Sequence, residues 1–211
     1  MLSKEEFRAK WSSLHSDAET SGIVGGWLNI SYRFGLICTL LRISPNALTL
    51  FGLLGAVATA VTAHSAWAIF FLVFSLFCDG IDGSVAIFQH RDSKWGATLD
   101  SVADRISEAL WFYVAYKIGA PVWLVLATYV IASTQEYARA KLGGLGVSDL
   151  GVVTPAERPV RASFIFIALV SYALGLDLAF LALFVLLVLQ ILSFYLVVRF
   201  AHNSLRDNLS A

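Results

Sequence analysis

Long apolar stretches separated by short polar connections set the pattern of this chain. No charged residue lies between Arg42 and Asp79, and further uncharged runs cover Ala109–Tyr116, Ile118–Gln135, Ala162–Leu176 and Leu178–Val198. A helix needs about 20 apolar residues to cross a bilayer. The runs therefore predict six transmembrane helices, near 46–64, 67–86, 95–116, 119–142, 158–175 and 178–201. Ahead of them, Trp27, Ile30, Phe34, Ile37 and Leu41 recur at helical steps, interrupted by Asn29, Ser31 and Arg33. That predicts a helix over 24–41 lying along the membrane face, with Trp27 and Tyr32 at headgroup level. A seventh, imperfect span is the alternative. Residues 1–22 are polar and read as a cytoplasmic tail with a short helix over Lys4–Ser13, and 23–211 as one all-α integral membrane domain.

Composition agrees, with 58% hydrophobic and 14% charged residues, as expected of a multi-span membrane protein. Net charge is zero and says nothing about partners, but the placement of charge does. With both termini inside, 13 of the 15 Lys and Arg residues fall on the cytoplasmic side, Arg105 lies within a span and Lys117 lies outside. The positive-inside rule selects that N-in, C-in orientation. Nothing in the pattern suggests nucleic-acid binding. Cys38 and Cys78 form no disulfide framework and read as small apolar residues. The MLSKEEFRAK start has mixed charge and no apolar core, so no cleavable signal is expected.

Four carboxylates break the apolar pattern. Asp79 and Asp82 are three apart, Asp100 and Asp104 four apart, so each pair shares one helix face. An aspartate at a bilayer centre costs about 2.5–3.5 kcal/mol. Arg105 alone cannot neutralise four of them. Hard divalent cations prefer carboxylate oxygen, which makes the cluster a candidate metal site first and an active site second.

The stretch reads DGIDGSVAIFQHRDSKWGATLDSVAD, with the skeleton Asp79-x-x-Asp82-Gly83-x-x-Ala86, then Gly96-x-x-x-Asp100-x-x-x-Asp104. It resembles the signature of the CDP-alcohol phosphotransferases, membrane enzymes of phospholipid synthesis. Ser44-Pro45-Asn46-Ala47-Leu48-Thr49 with Gly52 resembles the start of that family's first span, and the likeness runs from about Ile43 onward. The resemblance implies transfer of a phosphatidyl group from a CDP-linked donor such as CDP-diacylglycerol to an acceptor hydroxyl, with release of CMP. It implies Mg²⁺ or Mn²⁺, two ions, on Asp79, Asp82, Asp100 and Asp104, with Asp104 also the base for the acceptor hydroxyl. Asn46, Thr49, Asp79, Gly83, Ala86, Arg91 and Gly96 would contact the donor. A homodimer is implied as well. One position departs: the family carries arginine after Ala86, where this chain has Ile87, and Arg91 one turn later is the candidate substitute.

The acceptor side rests on a second likeness. Tyr137–Gly146, YARAKLGGLG, resembles a segment of actinobacterial members that use inositol phosphate, and Glu157-Arg158-Pro159 with Arg161 resembles their Glu-Arg-Pro element. Arg139, Arg158 and Arg199, with Lys141 and Arg161 further out, would then receive the phosphate of a polyol such as inositol phosphate or glycerol 3-phosphate. The same basic residues are also what topology alone requires on the cytoplasmic side. A non-phosphorylated acceptor is the first alternative, and a divalent-cation transporter or sensor using the same aspartates the second. Glu108 and Glu136 are expected to be structural partners, and Arg105 to pair with Glu108 or with one of the aspartates. His15, His64, His90 and His202 are expected on the surface. Trp67, Trp111, Tyr113, Trp123 and Tyr137 are expected in interfacial belts or against lipid.

Overall fold

Each of the six apolar stretches becomes a helix, preceded by two more. The computed structural model describes residues 2–14, 22–147 and 153–207, so His15 and Gly151 lie outside the described residues. All regular structure among them is helical: α1 (Lys4–Leu14), α2 (Gly22–Leu40), α3 (Pro45–Val61), α4 (Trp67–Gln89), α5 (Lys94–Lys117), α6 (Val122–Gly144), α7 (Arg158–Ala173) and α8 (Ala179–Asp207). Local sequence explains the boundaries. Ser3 and Glu6 form a capping box, each side chain bonded to the other's backbone N–H. Ser44 caps α3 ahead of Pro45, and Ser93 caps α5 by accepting from the Gly96 N–H at 3.0 Å. At the other ends, Gly119, Gly146 and Gly175 take positive φ where the chain turns out of a helix. Arg42 and His90 do the same at φ 59° and 51° without glycine's freedom.

Two helices, α4 and α8, are long and apolar enough to cross a membrane on their own, and α2 with α3 makes a third candidate bent by 111°. The remaining stretches fall short for physical reasons. α7 has only 16 residues. α5 carries Lys94, Asp100, Asp104, Arg105 and Glu108, and α6 carries Glu136, Arg139 and Lys141. The charges that matter for chemistry are the ones that dilute the apolar signal.

The chain divides into two compact units, Met1–Ala58 with Phe71–Ser107, and Thr59–Phe70 with Glu108–Ala211. In the first, α1 is docked rather than trailing as a tail. Phe7 is completely buried with Leu28, Ile87 and Phe88, and stacks on the Phe88 ring at 4.9 Å. Arg8 donates to Asn29 Oδ1 at 2.9 Å, and Tyr32 donates its hydroxyl to the Leu2 carbonyl. Tyr32 is thus held by α1, and Trp27 lies over Gly80 and the Phe77 ring of α4. Gly80 makes this possible, because a Cβ there would meet Trp27 at 2.5 Å. Cys38 joins Leu48, Ile81 and Val85 in a second apolar cluster, as a small buried residue.

The second unit packs α6 and α7 on α8, around Leu124, Ile165, Leu183 and Leu186. Its interior also holds charge. Arg161 is buried and pairs with buried Glu108, donates to Glu136 at 3.0 Å, and donates to the Ala156 carbonyl at 2.6 Å. Trp111 is completely buried, not lipid-facing, and the Arg158 guanidinium lies over its ring at 5.1 Å. Trp67, Tyr113, Trp123 and Tyr137 are exposed as expected.

Removing one member of a buried ion pair strands the other. Arg161→Met is therefore expected to destabilise the protein by about 3–5 kcal/mol, whereas Glu108→Leu with Arg161→Met recovers most of the loss. Thermal melts of the four-member cycle in detergent check this, and an additive double variant contradicts it.

Candidate active site

The cap on α5 and the turn out of α4 bring the two aspartate pairs together. Asp79 and Asp82 sit on the last turns of α4, Asp100 and Asp104 on the first turns of α5, and only the 90–93 connection separates the helices. Carboxylate oxygens of Asp79, Asp100 and Asp104 lie within 4.8 Å of one another. Like charges that close repel unless a cation or proton is shared among them. Three hard oxygen donors converging this way are a fitting donor set for a divalent cation of the Mg²⁺ or Mn²⁺ type.

Asp82 stands apart from that trio. Its Oδ2 accepts from the Thr49 hydroxyl at 2.6 Å and its Oδ1 from the Gly83 N–H at 2.6 Å. Thr49, expected as a donor contact, is therefore bonded to a carboxylate and buried. Arg105 pairs with Asp104 at 3.9 Å and so belongs to the aspartates, while Glu108 belongs to Arg161.

Asp79, Asp82 and Asp100 open onto a cavity of about 380 Å³ that also takes in Asn46, Thr49, Gly83, Ala86, Arg91 and Gly96, all of them expected at the donor site. The volume lies in the range of ligand pockets, about 300–1,000 Å³. At Gly83 an added Cβ would meet nothing within 4 Å, so its absence keeps space in the cavity rather than relieving a protein contact. Gly96 is tighter, with Ser93 Oγ at 3.1 Å and Asn46 Oδ1 at 3.4 Å from where a Cβ would stand. Ile87, the departure from the family pattern, is buried with Phe7, Leu28 and Phe88 and also borders the cavity. Trp11 lines the cavity too. Sequence reading missed that contact, because the spacing of Phe7 and Trp11 on one helix face shows an apolar stripe without showing what it meets.

The expected acceptor residues are distributed differently. Arg139 donates to both carboxylate oxygens of Glu157, each at 2.7 Å, and Glu157 also accepts from the Thr154 N–H and hydroxyl. Thr154 is within 3.5 Å of the Gln135 amide, whose Oε1 accepts from Gln190 Nε2 at 2.8 Å. This buried polar chain had only one sequence signal, two glutamines inside apolar runs. Arg161 is a buried structural cation. Arg158 is half-buried over Trp111, whereas Lys141 and Arg199 are exposed. His64, His90 and His202 are exposed, and His64 Nδ1 lies 3.1 Å from the Tyr172 hydroxyl.

Residues 42–200 match the family model for CDP-alcohol phosphatidyltransferase. The chain belongs to the CDP-alcohol phosphatidyltransferase family. Among relatives, the phosphatidylinositol phosphate synthase of Corynebacterium glutamicum is 36% identical over 134 residues, 57% of this chain and 60% of that protein. The archaetidylinositol phosphate synthase of Pyrococcus horikoshii is 32% identical over 142 residues, 64% of this chain and 74% of that protein. The fold is shared with Mycobacterium tuberculosis phosphatidylinositol phosphate synthase, solved with CDP-DAG bound. The TM-score is 0.66 at 18% identity, covering 82% of this chain and 94% of that one. The same mycobacterial enzyme has also been solved with manganese and citrate, again at a TM-score of 0.66, with 20% identity and coverage of 81% and 88%. Asp79, Asp82, Asp100 and Asp104 all fall within the matched residues, as does Ile87.

Burial alone would raise the Glu157 carboxyl, but hydrogen bonds from Arg139 and Thr154 outweigh it and bring it from 4.5 to about 2. A carboxyl lowered in the folded state adds stability that is complete above pH 4.5 and disappears as pH falls toward 2. The melting gap between wild type and Glu157→Gln is thus expected to be widest at neutral pH and to narrow below pH 4.5. A gap that stays constant between pH 7 and pH 3 would contradict the Arg139–Glu157 pairing.

Proposed function

We propose that this protein moves a phosphatidyl group from CDP-diacylglycerol to a phosphorylated polyol, inositol phosphate or glycerol 3-phosphate, and releases CMP. The observation that carries the reading is the convergence of Asp79, Asp100 and Asp104 beside a cavity that Asp79, Asp82 and Asp100 line with Asn46, Thr49, Gly83, Ala86 and Gly96. The family membership and the CDP-DAG complex of the mycobacterial enzyme support the donor. The manganese complex of that enzyme supports Mg²⁺ or Mn²⁺ on the aspartates, which we read as holding two ions. We further read the chain as a homodimer with six spans and cytoplasmic termini, its active site facing the cytoplasm of a bacterial cell membrane.

Bound divalent cations would screen the donor's pyrophosphate charge and favour departure of CMP. Asp79, Asp82, Asp100 and Asp104 hold that charge, with Asp82 oriented by Thr49. Asp104 takes the proton of the acceptor hydroxyl as its oxygen bonds to the lipid-proximal phosphorus. The bond from that phosphorus to the bridging pyrophosphate oxygen breaks, and the electron pair leaves with CMP. Asn46, Gly83 and Gly96, which line the cavity, are assigned to the nucleotide, with the open space at Gly83 left for it. Arg158, Lys141 and Arg199 are the cations assigned to the acceptor phosphate, with Arg139 contributing once its fork is shared with Glu157.

One observation favours the alternative acceptor. Glu157 already occupies the Arg139 guanidinium, and Arg161 is committed to Glu108 and Glu136. An acceptor without phosphate would leave both pairs undisturbed.

CMP release from CDP-diacylglycerol by purified protein with Mg²⁺ tests the reading, with inositol phosphate, glycerol 3-phosphate, free inositol or no acceptor. Release that depends on a phosphorylated polyol is expected, and dependence on free inositol selects the alternative. Asp104→Asn is expected to lower kcat by about 10²–10⁴-fold, the usual contribution of a positioned base. Full turnover in that variant would remove Asp104 from the role.

A further inference from the structure

The helix that closes over Ile87 lies outside the family's matched region. That region begins at residue 42, whereas α1 spans Lys4–Leu14. Phe7 and Trp11 are four apart and share a face of α1. Phe7 anchors that face in the cluster of Leu28, Ile87 and Phe88, and one turn on, Trp11 reaches the cavity. Lys10 pairs with Asp92 at 3.9 Å, joining the same turn of α1 to the connection between α4 and α5. Both partners of that pair are solvent-accessible, so the burial of Phe7 holds the helix in place far more than the pair does.

The cavity has a chemically mixed lining. Asp79, Asp82 and Asp100 contribute carboxylates, and Trp11, Pro45 and Ile87 contribute aromatic and aliphatic surface. A ligand suited to both carries phosphate at one end, met through cations, and a flat group with apolar faces at the other. Among the parts of a CDP-linked donor, the pyrophosphate fits the first and the nucleobase the second. Aromatic side chains hold bases by stacking on their faces. Ile87 is packed beneath α1, with Phe7 in the same cluster and Trp11 against it.

We infer that Trp11 is a donor-binding residue in this protein, stacking on the cytosine of the CDP-linked donor, and that α1 thereby completes the nucleotide site. The inference rests on the transferase reading. Under it, Ile87 and Trp11 border the same nucleotide site from α4 and α1.

The test uses the full chain in detergent with Mn²⁺, as wild type, Trp11→Phe and Trp11→Leu. Binding of CMP and of ribose 5-phosphate is measured by calorimetry, and KM and kcat are measured with CDP-diacylglycerol. Losing a stacking partner is worth about 5- to 100-fold in affinity. Trp11→Leu is expected to weaken CMP binding and raise KM by that factor with kcat unchanged, and Trp11→Phe to restore both. Ribose 5-phosphate, which has no base, is expected to bind all three alike. Equal CMP affinity in wild type and Trp11→Leu would overturn the inference. So would an equal loss for ribose 5-phosphate, because Trp11 would then act only by seating α1. A Phe variant as weak as the Leu variant would overturn it too. Wild type that neither binds CMP nor releases it from CDP-diacylglycerol would bring down the transferase reading itself, whereas failure confined to the Trp11 variants leaves that reading standing.

Discussion

Charge carried on apolar helices has to be balanced within a few ångströms, because neither lipid nor a packed core can solvate it. Both compact units of this protein are organised around that requirement, and they meet it in different ways. In the second, Arg161 is surrounded by acceptors from Glu108, Glu136 and Ala156, so a full positive charge is neutralised by protein groups alone. In the first, Asp79, Asp100 and Asp104 are brought within 4.8 Å of one another, with Arg105 beside Asp104. The first arrangement is complete as folded. The second gains stability from a cation, which is the physical distinction between a structural ion cluster and a site for metal-assisted phosphoryl chemistry.

The same distinction orders the basic residues. From the sequence, Arg139, Lys141, Arg158, Arg161 and Arg199 look alike, since each is a cation near the end of an apolar run. In the structure, Arg139 is gripped by both oxygens of Glu157, Arg161 is buried, and Arg158 lies over Trp111. Only Lys141 and Arg199 are fully on the surface. A bidentate carboxylate on Arg139 presents the geometry that a phosphate would need, so any phosphate reaching this guanidinium would have to displace Glu157 or share the fork with it.

Ile87 shows how a departure from a family pattern gains meaning from its neighbours. Taken alone, loss of an arginine beside the signature reads as a weakened donor site. Its actual setting is an apolar cluster with Phe7, Leu28 and Phe88 under a helix that precedes the shared region. An arginine there would place charge among aromatic rings. Ile87 and the docked helix are therefore consistent with each other, and both border the cavity.

Local order in this chain determined a great deal. Runs without charge located six helices to within a few residues, because backbone groups in apolar surroundings must be satisfied internally and the helix does so. The three- and four-residue spacing of the aspartates put them on common helix faces, and their number without enough cations pointed to metal. What the sequence did not determine was partnership across the fold. That Asp82 would take Thr49, that Glu108 would take Arg161 rather than nearby Arg105, and that Trp11 would border the cavity depend on which helix faces meet. Those choices are made by burial of side chains such as Phe7 and Trp111 between elements far apart in sequence, and no local spacing encodes them.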